Sequence, residues 1–106
     1  MISVSTHVLD TERGEPARGL SVALFQGEQR IAAERTDSGG RIGQLAQALE
    51  AGAYRLEFDL AAYFVDQGRP APFLQRLSLE VMLNEDRHYH LPLLLGAYAC
   101  TTYRGS

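Results

Sequence analysis

Lysine is absent: all ten cationic side chains of the 106-residue chain are arginines. That removes Schiff-base chemistry, pyridoxal phosphate attachment and lysine-dependent phosphate loops. A cationic anchor for a substrate must then be a guanidinium, whose planar fork suits two-toothed contacts with carbonyls and anions. Cysteine is nearly absent too. The lone Cys100 has no intrachain disulfide partner, and its apolar and hydroxyl-bearing neighbours give it no activation. No Cys/His spacing resembles a zinc site, so no metal is expected, and a reducing cytoplasm is the default compartment. A Gly-x-Ser-x-Gly elbow is missing, which argues against a serine-triad hydrolase. The net charge is −3 with no strongly basic stretch, which leaves nucleic acid without an electrostatic footprint. No apolar run approaches the ~20 residues that cross a bilayer. Met1 leads into an alternating pattern rather than the basic start and apolar block of a signal peptide. Neither nucleic acid nor membrane is an expected partner.

What remains is a short chain, 45% hydrophobic, of a length that suits one domain over residues 1–106. Ile2, Val4, Thr6 and Val8 alternate with Ser3, Ser5 and His7, the pattern of a half-buried strand that puts His7 on the non-core side. Asp10 to Pro16 reads as a loop. Leu20, Val22 and Leu24 form a second alternating run, closed by Gln26-Gly27-Glu28, and Ile31 to Thr36 a third. Asp37-Ser38-Gly39-Gly40 is a turn signal that delivers Arg41 at its edge. Ala46 to Glu50 reads as a short connection ending at Gly52. Tyr54, Leu56, Phe58 and Leu60 alternate again. Asp59 to Gln67 has helical spacing at Leu60, Tyr63 and Phe64, and is stopped by Gly68 and Pro70. Leu77 to Leu83 and the stretch from His88 are further strands, with a last one from about Tyr98 to Tyr103. About seven short strands and one small helix predict an all-β sandwich.

The polar groups that stand out are His7, His90, Arg41, and the closing Tyr103, Arg104 and Ser106. His88 and His90 share one strand face, while Tyr89, Leu91 and Leu93 share the other. His90 has the stronger claim, because Leu91 and Pro92 run straight from it into packed structure. His88, beside Asp86 and Arg87, reads as solvated. Taken singly, each group is more often an ordinary solvated side chain; the two ends of the chain become informative only together.

Taken together, they resemble a known family. Ser5-Thr6-His7-Val8-Leu9-Asp10, Gly14 with Pro16-Ala17, Asp37 through Gly40-Arg41, Phe73-Leu74, His88 through Leu94 and Thr102 through Ser106 appear in the order of the transthyretin-like family, specifically its 5-hydroxyisourate hydrolase branch. The chain departs from the family pattern at Gly96-Ala97, at Ala99-Cys100-Thr101 and in a shorter Gln26 to Arg35 region. The resemblance implies a sandwich of two four-stranded sheets with one short helix, assembled as a homotetramer, a dimer of dimers with sites at a subunit boundary. It implies ring-opening hydrolysis of a purine-derived small molecule in urate degradation, with no cofactor. His7, Arg41 and His90 would be the catalytic groups; Tyr103, Arg104 and Ser106 would bind substrate. The competing expectation is a non-catalytic transthyretin-like protein that binds a small ligand.

Overall fold

The computed structural model describes residues 1–106. Nine strands and one helix follow in order: β1 Ile2–Asp10, β2 Glu15–Pro16, β3 Ser21–Gln26, β4 Gln29–Arg35, β5 Arg41–Leu49, β6 Gly52–Asp59, α1 Leu60–Asp66, β7 Arg76–Leu83, β8 His88–Leu95 and β9 Cys100–Thr102. They form two sheets. One runs β4-β3-β6-β7; in the other β1 lies between β8 on one edge and both β5 and β2 on the other, and β9 flanks β8. The short β2 meets β1 only at Leu9 and Asp10, beyond where β5 lets go. The architecture is therefore the expected pair of four-stranded sheets, with a two-residue strand appended to one.

Alternation decides which side of each strand is wet. Val4 and Val8 of β1, Val22 and Leu24 of β3, Leu56 and Phe58 of β6, and Leu93 and Leu95 of β8 are buried between the sheets. Burying such side chains is the main favourable term in folding, about 1.5–3 kcal/mol each. On β8 the same alternation buries Tyr89, Leu91, Leu93 and Leu95 and leaves His88, His90, Pro92 and Leu94 on the outer face.

The helix is set by its ends. The Asp59 carboxylate accepts from the Ala62 amide at 3.1 Å, capping the first turn. Gly68, at φ 70°, takes the left-handed position that closes the last one. Leu60, Tyr63 and Phe64 face the core.

Three expectations fail. The stretch read as a loop from Asp10 to Pro16 closes with the short strand β2, because Glu15 and Pro16 pair with Asp10 and Leu9. Residues 46–50 are not a connection, because β5 runs from Arg41 through Leu49. Its pairing with β1 shifts register twice, between Ile2 and Val4 and again between Val4 and Thr6, and Ala48 has φ 54°. Extra residues of this kind break the period of two, so Ile42 and Leu45 are both buried although three apart. The last strand is also shorter than expected. It spans only Cys100–Thr102, and Gly105 then makes an isolated bridge to His90.

The far end of β1 is tied down by a charge. Asp10 is fully buried. Its carboxylate accepts from Arg69 at 2.6 Å and from the Tyr63 hydroxyl at 2.9 Å, and from the Glu12 and Arg13 amides. Arg69 also donates to Glu12 at 2.9 Å, and Glu12 accepts from the Ala97 amide at 2.7 Å. This network joins β1, α1 and the loop leading into β9. Burial alone would push the Asp10 carboxyl up, but the bonds from Arg69, Tyr63 and Arg13 outweigh it and hold the group below the usual carboxylate value.

A carboxylate depressed by folding contributes stability that is present above its unfolded value near 4 and lost as pH falls through the folded one. Asp10→Asn should therefore destabilise the chain by about 1.5–3 kcal/mol at pH 7, because it removes the buried charged acceptor and leaves Arg69 with the more exposed Glu12 as its only carboxylate. Urea unfolding checks this: the gap from the native chain should narrow at pH 3, and an equal gap at both pH values would contradict the assignment.

Candidate active site

Two pairings bring the chemistry together. In the antiparallel β1–β5 pair, His7 stands directly opposite Arg41. In the parallel β1–β8 pair, Ser3 lies beside His88, Ser5 beside His90 and His7 beside Pro92. Directly paired residues project to the same side of a sheet. Arg41, His7, Ser5, Ser3, His90 and His88 therefore share the outer face of one sheet, with His7 and His90 as diagonal neighbours roughly 7 Å apart.

Arg41 is delivered by the turn before it. The Asp37 carboxylate accepts from the Gly39 and Arg41 amides, each at 2.9 Å. The Arg41 amide, then the Gly39 amide and the Arg41 and His7 charges, hold the Asp37 carboxyl below its ordinary value. Gly40, at φ 73°, passes so close to β1 that a Cβ there would run into the Val8 carbonyl. Its own carbonyl accepts from the Val8 amide at 2.8 Å. A glycine is needed at this point for Arg41 to land across from His7.

His90 is half-buried, and its surroundings shift its titration. Burial lowers its pKa, and the charges of Arg41, His88 and His7 lower it further. The ring is therefore kept neutral at neutral pH, with one nitrogen lone pair free to accept a proton. Ser5 Oγ lies 2.7 Å from His90 Nδ1, so Nε2 is left for the open face. Ser5 Oγ also lies 2.7 Å from His88 Nε2, and Ser3 Oγ lies 2.6 Å from His88 Nδ1. His88 is exposed, as expected, yet both of its ring nitrogens are engaged.

The last residues fold back onto β8. The Gly105 amide donates to the His90 carbonyl at 2.7 Å, and a Cβ on Gly105 would lie 2.9 Å from His90 Cδ2. Only a glycine fits against that ring, and the exposed Ser106 follows it. Tyr103 and Arg104 lie elsewhere in the subunit. They line a cleft of about 420 Å³ with Leu79, Val81 and Met82 of β7. A second cleft, about 380 Å³, opens on the other sheet beside Phe25, Arg35 and Glu57. Neither holds His7, Arg41 or His90, whose face is open in the single chain.

Residues 4–105 match the model of the HIUase/Transthyretin family. The chain belongs to that family. Across the whole of both chains, this family member is 40% identical to the 5-hydroxyisourate hydrolase of Caulobacter vibrioides. It superposes on the structure of Klebsiella pneumoniae 5-hydroxyisourate hydrolase with a TM-score of 0.93, at 37% identity and with both chains fully covered. Sea bream transthyretin, in a structure with thyroxine, is 32% identical, with a TM-score of 0.89 over 96% of this chain and 93% of that one. The HIUase/Transthyretin fold thus accommodates both a hydrolase and a hormone-bound protein at similar sequence distance, and the residues on the open face must tell them apart.

Three residues at the site escaped sequence reasoning. Ser5 and His88 become significant only once the β1–β8 register is known, because they are 83 residues apart in the chain. Gly105 carried a signal, a glycine set between arginine and serine, with nothing to say what it would touch.

Arg41→Met should raise the pKa of His90, since it deletes a positive neighbour. Histidine-ring NMR titration checks this, and an unchanged or lower midpoint would contradict it. The sign extends to stability. A histidine depressed by folding is protonated first in the unfolded chain, so acidification from pH 7 to 5 weakens the native fold. The Arg41→Met chain should lose less stability over that range than the native one.

Proposed function

We propose that the chain hydrolyses 5-hydroxyisourate, opening its six-membered ring to give 2-oxo-4-hydroxy-4-carboxy-5-ureidoimidazoline in urate breakdown. The observation that carries this reading is the placing of Arg41 across from His7 on one side of β1, with neutral His90 diagonal to His7 on the other side. The full-length likeness to hydrolases of that name supports it. A carrier of apolar ligands gains nothing from two imidazoles and a guanidinium on one face.

In the mechanism proposed, a water attacks the ring carbonyl and gives its proton to His90 Nε2. The carbonyl oxygen gains negative charge, which Arg41 offsets while holding the planar substrate. The C–N bond then breaks, and the departing nitrogen takes a proton from His7 or from the newly protonated His90. General acid–base groups of suitable pKa contribute ~10²–10⁴-fold each. Ser106, which follows Gly105, would hydrogen-bond the ring.

The working form is a homotetramer, a dimer of dimers built from one transthyretin-like domain per chain, with the site closed by a second copy. The open face supports this: Leu94, 38% exposed, and half-buried Pro92 continue the His90 row toward the far end of β8 as apolar surface that a neighbour could cover. In such an assembly Tyr103 and Arg104 would serve the site at that boundary. No helix is long and apolar enough to cross a membrane. The lone Cys100 fits a cytoplasmic address.

The test follows loss of 5-hydroxyisourate absorbance on adding pure protein, against its spontaneous decay. Native chain should accelerate the loss, and His90→Asn should remove at least ~10²-fold of turnover with the same assembly size by chromatography. Native protein indistinguishable from buffer would overturn the hydrolase reading; a fully active His90→Asn would remove that residue from it.

A further inference from the structure

A continuous hydrogen-bonded chain runs along the open face behind His90: Ser3 Oγ, His88 Nδ1, His88 Nε2, Ser5 Oγ, His90 Nδ1, with successive contacts of 2.6, 2.7 and 2.7 Å. Its members come from β1 and β8 alternately. Ser5 is its hinge. This hydroxyl is almost fully buried, carries one proton, and touches a ring nitrogen on each side. It must donate to one imidazole and accept from the other.

Two neutral arrangements satisfy every contact. In the first, His90 Nδ1–H donates to Ser5, Ser5 donates to His88 Nε2, and His88 Nδ1–H donates to Ser3. His90 Nε2 is then bare and basic. In the second, every proton has moved one contact along: Ser3 donates to His88 Nδ1, His88 Nε2–H to Ser5, and Ser5 to His90 Nδ1. His90 Nε2 then carries hydrogen and is an acid.

We propose that Ser5 and His88 are positioning residues for His90, and that the chain they form moves a proton between the reacting face and exposed His88, switching His90 from base to acid within one turnover. The inference rests on the hydrolase reading above and extends it to residues that touch no substrate. The proton balance is simple. As Nε2 of His90 gains a proton from water, its Nδ1 proton passes to Ser5, the Ser5 proton passes to His88 Nε2, and the His88 Nδ1 proton passes to Ser3. The former Ser3 proton leaves to solvent, one proton in and one out. Nε2–H can then be given to the departing nitrogen, and the reverse shift restores the base. The titratable and charged groups facing His90 are Arg41 from β5, His7 from β1 and His88 on its own strand, while the closing residues contribute the Gly105 backbone. All three side chains disfavour positive charge on His90, which suits a relay that discharges the ring over one that stores charge there.

The experiment is a double-mutant cycle on the full chain. Ser5→Ala breaks the link; His88→Gln keeps an amide within reach of Ser5 but cannot take and release a proton. Each should lower kcat about tenfold with KM changed less than about twofold, and the double variant should be no slower than the singles, since all three break one path. Ser5→Thr, which keeps the hydroxyl, should recover most of the rate. Multiplying losses, or a single variant within about twofold of native kcat, would overturn the proposal. Ring ¹⁵N spectra give a readout that needs no substrate. In the native chain His88→Gln should change the Nδ1/Nε2 proton balance of His90, and in the Ser5→Ala background that response should vanish. If native protein fails to hydrolyse 5-hydroxyisourate, the hydrolase reading falls, and these spectra alone decide the relay: a His90 balance indifferent to residues 5 and 88 overturns it.

Discussion

Eight successive pairs, from Ser3 with His88 to Asp10 with Leu95, hold β1 parallel to β8. A parallel pair needs a long crossover, and here the crossover is the entire middle of the chain. The pairing is pinned at one end by Ser3, Ser5 and the two histidines, and at the other by Thr11, whose hydroxyl donates to the Leu95 carbonyl at 2.8 Å. In its middle the Thr6 hydroxyl donates to the Leu91 carbonyl at 2.6 Å. Slipping it by one residue would turn His90 inward and Leu91 outward. The buried row of Tyr89, Leu91, Leu93 and Leu95 prevents this, so the hydrophobic core holds the site in register.

Much of this was legible in the residues because alternation is a strong signal when a strand is regular. The faces of β1 and β8 follow directly from Ile2-to-Val8 and His88-to-Leu95, and the helix from the spacing of Leu60, Tyr63 and Phe64. Strand β5 was illegible for a definite reason: two register shifts and a positive φ at Ala48 destroy the period. His7, His90 and Arg41 could be chosen by residue type and by family likeness, but their adjacency depends on which strands pair, and no local pattern states that. The same limit hid Ser5 and His88. The closing residues divide: Gly105 bridges to His90, while Tyr103 and Arg104 face the cleft by β7.

The division of labour between charge and fold is clear. The strongest ionic network, around Asp10 and Arg69, lies at the opposite end of β1 from Ser3 and is spent on tying loops together. The candidate site keeps its one close guanidinium outside the ion pairs of the chain, so Arg41 remains available to an incoming anion or carbonyl. Burial chiefly keeps His90 neutral, the neighbouring positive charges add to it, and no acidic group offsets either. An open, apolar-rimmed face with a free cation and a neutral His90 is incomplete as a single-chain pocket, and enclosure by a second copy belongs to the same proposal.

The most direct measurement is diffraction from crystals of the full chain soaked with a stable oxidised purine such as urate. The account predicts density for the ring on the outer face of the β1–β8 sheet, against Arg41 and between His7 and His90, walled by another copy. Density instead in the cleft by Met82 and Tyr103, with the histidine face empty, would contradict it.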